Sequence, residues 1–186
     1  MKVKYLDLKN KRVFISGGGS GIGASIVEHF CEQNSEVYFI DIDVKASNNL
    51  ISSIKKKKLK VPSFIECNIL DVKKLQNIIK DIIAKKGPIH CLINSAANDD
   101  RHTTDQVDEK YWDNRMNINL KHYFFAAQSV VKGMKKIKSG SIVNLSSVSW
   151  MLGEGDKVVY ETAKSAVVGL TRSFAQEFGK YNIRTN

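Results

Sequence analysis

Short runs rich in β-branched and aromatic residues alternate along this chain with longer stretches whose apolar positions recur at helical spacing. "RVFIS" (12–16), "EVYFIDID" (36–43), "SFIEC" (63–67), "IHCLINS" (89–95) and "GSIVNLSS" (140–147) read as strands. "IGASIVEHFCEQN", a polar segment around 45–57, and segments near 71–86, 108–136 and 160–180 read as helices. Short strands that are apolar on both faces belong in a parallel sheet covered by helices on either side. Repeated strand–helix–strand units make the expected fold α/β, a doubly wound parallel sheet. One domain over 1–186 is expected, with no repeat, linker or low-complexity segment. "NIRTN" (182–186) looks like the start of a further strand, so the sheet is expected to lack its C-terminal strand or strands.

Composition changes this picture little. A chain of 186 residues can bury a core without disulfides or metal. The start "MKVKYLDLKN" has no apolar segment and no later run approaches a membrane span, so a cytoplasmic protein with no membrane partner is expected. Cys31, Cys67 and Cys91 form no CxxC pair, which favours reduced thiols and no metal site. The net charge of +10, from 29 basic and 19 acidic residues, invites a nucleic-acid reading. However, the lysines are scattered, and the densest run, "KKKKLK" (55–60), closes a helix with no aromatic residues interleaved. A solvated face is expected there, and no nucleic-acid partner.

"GGGSGIGASI" (17–26) is where chemistry enters. On its own it could be a flexible join, since loops use glycine whatever their function. Here it follows a strand directly and opens an amphipathic helix, which brings backbone N–H groups and a helix N-terminus to where a pyrophosphate can sit. Gly17, Gly21 and Gly23 set the turn, with Ser20 and Ile22 between them. Asp41 ends the second strand, 18 residues past Gly23, where a carboxylate can accept hydrogen bonds from an adenosine ribose. It would repel a 2′-phosphate, no Arg or Lys follows it immediately, and Ser20 is not basic. NAD is therefore the expected cofactor, in a Rossmann-like topology. Asp43 reads as a turn or cap.

"YETAK" (160–164) sets Tyr160 and Lys164 four residues apart, on one face of a helix. Bringing a tyrosine from pKa 10 to near 7 needs roughly 4 kcal/mol of preference for the phenolate. A neighbouring ammonium and a second donor can supply it, and Ser147, 13 residues before Tyr160, is the candidate donor. A Tyr and a Lys can also merely share a helix face. Together with "NSAA" (94–97), "NINL" (117–120) and "NLSS" (144–147), these features resemble the short-chain dehydrogenase/reductase family, from about Lys9 to Asn186. The resemblance implies a tetrad of Asn119, Ser147, Tyr160 and Lys164. Tyr160 would be the base, Ser147 would hold the substrate oxygen, and Lys164 would bind the nicotinamide ribose and lower the tyrosine pKa. Asn119 would support a proton-relay water. The same resemblance places Asn94 near the cofactor and puts Asn68 against adenine, with Ile69 packing beside it. Three departures stand out. NSAA replaces the usual NNAG, Asn68 replaces an acidic residue, and family members are usually longer. The chain thus looks C-terminally truncated, which leaves activity and the family's usual homo-oligomer open.

"AANDDRHT" (96–103) and "SVSWMLGEGDKVVYETAK" (147–164) should border the substrate. Both are polar, and Trp150 adds an aromatic face, a combination that suits a polyol better than an acyl chain or steroid. Asn98, Asp99, Trp150, Glu154 and Asp156 join Ser147 and Tyr160 as expected substrate contacts. The alternative is that Asp99, Asp100 and Arg101 form a surface loop. The wording of these stretches is similar to bacterial NAD-dependent aldose 1-dehydrogenases. That similarity implies oxidation of the anomeric hydroxyl of an aldose such as D-xylose to a lactone. A 3-oxoacyl-type reductase and a non-catalytic NAD-binding remnant remain as alternatives.

Overall fold

The computed structural model describes residues 3–186. Its centre is one sheet of six parallel strands in the order β3-β2-β1-β4-β5-β6. These are β1 (Arg12–Ser16), β2 (Glu36–Asp41), β3 (Ser63–Glu66), β4 (Cys91–Asn94), β5 (Gly140–Asn144) and β6 (Ile183–Thr185). The chain starts in the middle, winds outward to β3, and returns across β1 to build the other half. That reversal beside β1 opens a crevice at the carboxyl ends of the strands.

Period-two alternation decides which core each strand residue enters. On β1, Phe14 points to one face, where Ile40, Leu92 and Ile142 meet α3 (Val72–Lys86), α5 (His122–Ile137) and α7 (Val158–Phe178). Val13 and Ile15 point to the other, where Val37, Phe39 and Ile93 meet α1 (Gly21–Glu32) and α2 (Val44–Lys56). The doubly wound α/β fold expected from the pattern is thus the observed one. "NIRTN" supplies β6, in parallel register with β5.

Three differences are local. The strand read to position 43 ends at Asp41, because Asp43 caps α2 by accepting from the Ala46 amide at 2.8 Å. The strand read to 147 ends at Asn144. The single helix read over 108–136 is α4 (Glu109–Met116), a π-helical turn (Asn117–Lys121) and α5. A short α6 (Ser149–Leu152) precedes α7. No helix among the described residues is long and apolar enough to cross a membrane. The three cysteines are free thiols.

Candidate active site

The crevice holds a cavity of about 660 Å³. Gly17, Ser20, Gly21, Ile22 and Gly23 form one wall. Gly17 and Gly21 adopt φ of +70° and +54°, in the region that favours glycine. The turn is also too close for side chains. A Cβ on Gly23 would lie 1.8 Å from the Gly17 carbonyl oxygen, and one on Gly17 would lie 2.6 Å from Ala96 Cα. Ser20 precedes the first turn of α1 but its side chain makes no capping hydrogen bond. The early N–H groups of α1 are therefore left to whatever fills the cavity.

Asp41 lines the cavity beside the glycine turn. Its Oδ2 accepts from the Gly19 amide at 2.8 Å and its Oδ1 from the Asp43 amide at 2.9 Å. Each carboxylate oxygen keeps acceptor capacity for a ribose hydroxyl. Asn68 and Ile69 line the same end, although Asn68 Oδ1 also accepts from the Leu70 amide at 3.0 Å. An uncapped helix start, glycines no side chain could replace, and a fixed carboxylate fit a nicotinamide dinucleotide.

Tyr160 and Lys164, one helical turn apart on α7, line the opposite end. Lys164 is 1% exposed. Its Nζ donates to Tyr123 Oη at 3.0 Å and to the Leu145 carbonyl at 2.7 Å. It also lies 5.6 Å from the Tyr160 ring centroid. Burial pulls the Lys164 pKa down to about 8, with Asp99 opposing the shift. Beneath this corner, His122 is buried with Nε2 3.3 Å from Ser16 Oγ, and burial lowers its pKa to about 3, so it stays neutral.

Six of the expected site residues lie outside the cavity lining. Ser147 lies outside the cavity lining, with Oγ 2.8 Å from Ser149 Oγ and accepting from the Ser149 amide at 3.2 Å. Its neighbour Ser146 lines the cavity instead, with its hydroxyl donating to the Lys164 carbonyl at 2.7 Å. Asn119 is fully buried in the π turn. It grips the Asn98 backbone from both sides, Oδ1 accepting from the amide and Nδ2 donating to the carbonyl, each at 2.9 Å. Nδ2 also serves the Arg115 carbonyl at 3.0 Å. Asn94 is buried below the floor, donating to Asn144 Oδ1 at 2.8 Å. Trp150 is half-buried and outside the lining.

At the mouth, Asn98 and Asp99 line the cavity, whereas Glu154 and Asp156 do not. Arg101 Nη1 reaches the two Asp156 oxygens at 2.6 and 2.7 Å and Glu154 at 3.5 Å, and Lys157 pairs with Glu154. These partners hold both carboxylates below their usual pKa, Lys157 chiefly for Glu154 and Arg101 for Asp156. His102 completes the link, its amide donating to the Asp156 carbonyl at 2.7 Å. The 98–103 loop is held from below by Arg115, whose guanidinium is 2.7 Å from Asp100. Sequence reasoning thus missed two contacts, Arg101 as a link between loops and Tyr123 as the partner of Lys164.

Comparison with known proteins agrees with this geometry. The family model described as short chain dehydrogenase matches residues 11–186. The chain is 42% identical over 180 residues to D-xylose 1-dehydrogenase of Caulobacter vibrioides, covering 97% of this chain and 71% of that protein. It is 38% identical over 183 residues to the "Probable galactose dehydrogenase GalD" of Rhizobium meliloti, covering 98% and 72%. Among solved structures, the Cj0485 dehydrogenase superimposes with a TM-score of 0.87 at 26% identity, over 97% of this chain and 68% of that one. With the glycine turn, Asp41 and the Tyr160–Lys164 pair on one cavity, the chain belongs to the short-chain dehydrogenase family of oxidoreductases.

Proposed function

We propose that this protein oxidises the anomeric hydroxyl of an aldose, D-xylose or a similar sugar, to the lactone with NAD. The observation that carries this reading is the meeting, on one cavity, of Asp41, the Tyr160–Lys164 pair and the polar loop residues Asn98 and Asp99. The 42% identity to a D-xylose 1-dehydrogenase supports the sugar.

The glycine turn and the N-terminus of α1 would hold the pyrophosphate, and Asp41 would take the adenosine ribose. Its carboxylate disfavours a 2′-phosphate by charge repulsion, which selects NAD over NADP. When bound, NAD accepts the hydride from the anomeric carbon. Tyr160 Oη takes the proton from the anomeric hydroxyl, so the carbon–hydrogen and oxygen–hydrogen bonds both break as the carbonyl forms. The Lys164 ammonium lines the same cavity and would donate to the nicotinamide ribose. Asn98 and Asp99 bind the remaining sugar hydroxyls, and Ser147 holds the substrate oxygen with its own proton, which is free when Ser149 is the donor of the bond between them. Asn119 acts from behind, by fixing Asn98.

The test is NADH production by the purified chain with NAD and D-xylose, L-arabinose, D-galactose or D-glucose, and NADP in parallel. Turnover with one sugar that Tyr160→Phe abolishes supports the reading. Binding of NAD with no turnover on any sugar rejects it.

A further inference from the structure

Three hydrogen bonds beside the cavity close into a ring. Lys164 Nζ donates to Tyr123 Oη at 3.0 Å and to the Leu145 carbonyl at 2.7 Å, while Tyr123 Oη donates to the same carbonyl at 3.1 Å. All the protons can be assigned. The phenol has one proton and spends it on Leu145, so it meets the ammonium only as an acceptor. Burial raises the Tyr123 pKa, which keeps that proton in place. The ammonium has three protons, of which two are taken, and Lys164 itself lines the cavity. The ring therefore stops the ammonium from rotating freely and leaves one N–H for the cavity.

We propose that Tyr123 is a positioning residue for Lys164, its hydroxyl fixing the ammonium so that one N–H is presented to the cofactor's nicotinamide ribose. This rests on the reading of the cavity as a dinucleotide site. Tyr123 does not itself line the cavity; it reaches it only through Lys164 and Leu145, which do. It sits on the first turn of α5, fully buried, with its ring 5.2 Å from Lys164 Nζ. The other groups facing Lys164 are Tyr160 on the same helix, Asp99 from the loop after β4, and neutral His122 beside Tyr123. Of these, Tyr123 alone supplies a side-chain acceptor to the ammonium among the hydrogen bonds described.

The test uses Tyr123→Phe, which keeps the buried ring and removes the acceptor. Lysines labelled with ¹³C at Cε are titrated by NMR in the cofactor-free protein, with Lys164→Met to assign the signal. NAD binding is measured separately by fluorescence. The charged lysine loses a partner, so its midpoint falls by on the order of one pH unit. NAD binding weakens roughly five- to tenfold. Should Tyr123→Phe fail to fold, 3-fluorotyrosine at 123, a weaker acceptor of nearly the same shape, gives a smaller shift of the same sign. An unmoved Lys164 midpoint overturns the proposal, even if the melting temperature drops. Shifted midpoint and weakened NAD binding, in a protein that oxidises no sugar, uphold the positioning role and reject the sugar reading alone.

Discussion

At the glycine turn a Cβ on Gly23 would lie 1.8 Å from a backbone oxygen, whereas across the cavity Arg101 grips Asp156 with a side chain 57% exposed. The cofactor wall is held by backbone against backbone, and its shape is set by volume that no side chain can share. The substrate mouth is held by ion pairs in water, which are individually weak and weakened further by salt. One wall is built to fit one ligand closely. The other can be rearranged by changing a few charges without disturbing the glycine turn.

The largest effect expected lies between these two regions. Tyr160→Phe should lower kcat with the best sugar by roughly 10² to 10⁴-fold while NAD binding changes little, as read by initial rates and fluorescence titration. If the loss is small, another group is the base.

Lys164 gives a pH-dependent signature of comparable size. Its folded pKa of about 8 lies below the ordinary 10.5, so the unfolded chain holds that proton more tightly. Below about pH 8 the lysine is charged in both states and its burial opposes folding by a constant amount. As pH rises from 8 towards 10.5 the folded state deprotonates first, and that opposition is relieved. Urea unfolding should show the native chain gaining on the order of 3 kcal/mol relative to Lys164→Met across this window. A flat difference would mean that the ammonium is better solvated than its burial implies.

Gly23→Ala tests the rigid wall directly. The added methyl has no room, so stability should fall by about 1–3 kcal/mol and NAD binding should be lost beyond what that destabilisation explains. Thermal melts with and without NAD separate the two. The smallest effect is expected at the mouth, where Arg101→Ala should raise KM for the sugar by no more than about fivefold and leave NAD affinity unchanged. The carboxylates paired with Arg101 have lowered pKa values, so their contribution is present above the ordinary carboxylate range and is lost as pH falls below that range through the lowered values. The native chain should lose sugar affinity on acidification more steeply than Arg101→Ala does.

The same division decides what could be read from the chain alone. The short apolar strand runs, the glycine turn and the turn or cap at Asp43 are dictated by neighbours a few residues away, and there reading and structure agree. Tyr160 and Lys164 share a helix face by spacing alone, and they meet on the cavity. Glu154 and Asp156 were expected to face substrate because carboxylates suit a sugar. What they face depends on Arg101, more than fifty residues earlier, which no local pattern connects to them. Asn119 was similarly assigned to a water, but its amide is used on the backbone of Asn98. Ser147 was chosen over Ser146 by spacing; Ser146 lines the cavity, and Ser147 bonds locally to Ser149.

The π turn at Asn117–Lys121 has a consequence for how this helix tolerates change in length. Such a turn is the shape taken by one surplus residue when the helical segments on either side keep their own faces. Here the segment before it carries Arg115, and the segment after it carries the core residues Ala126, Val130 and Met134. Deleting a single residue from this turn would leave a straight helix that still fills the same core. The grip on Asn98 would go with it. On this reading a one-residue deletion should keep the far-ultraviolet circular dichroism of the native chain while the loop at Asn98 loses its support, so that position of a loop and integrity of the core become separable.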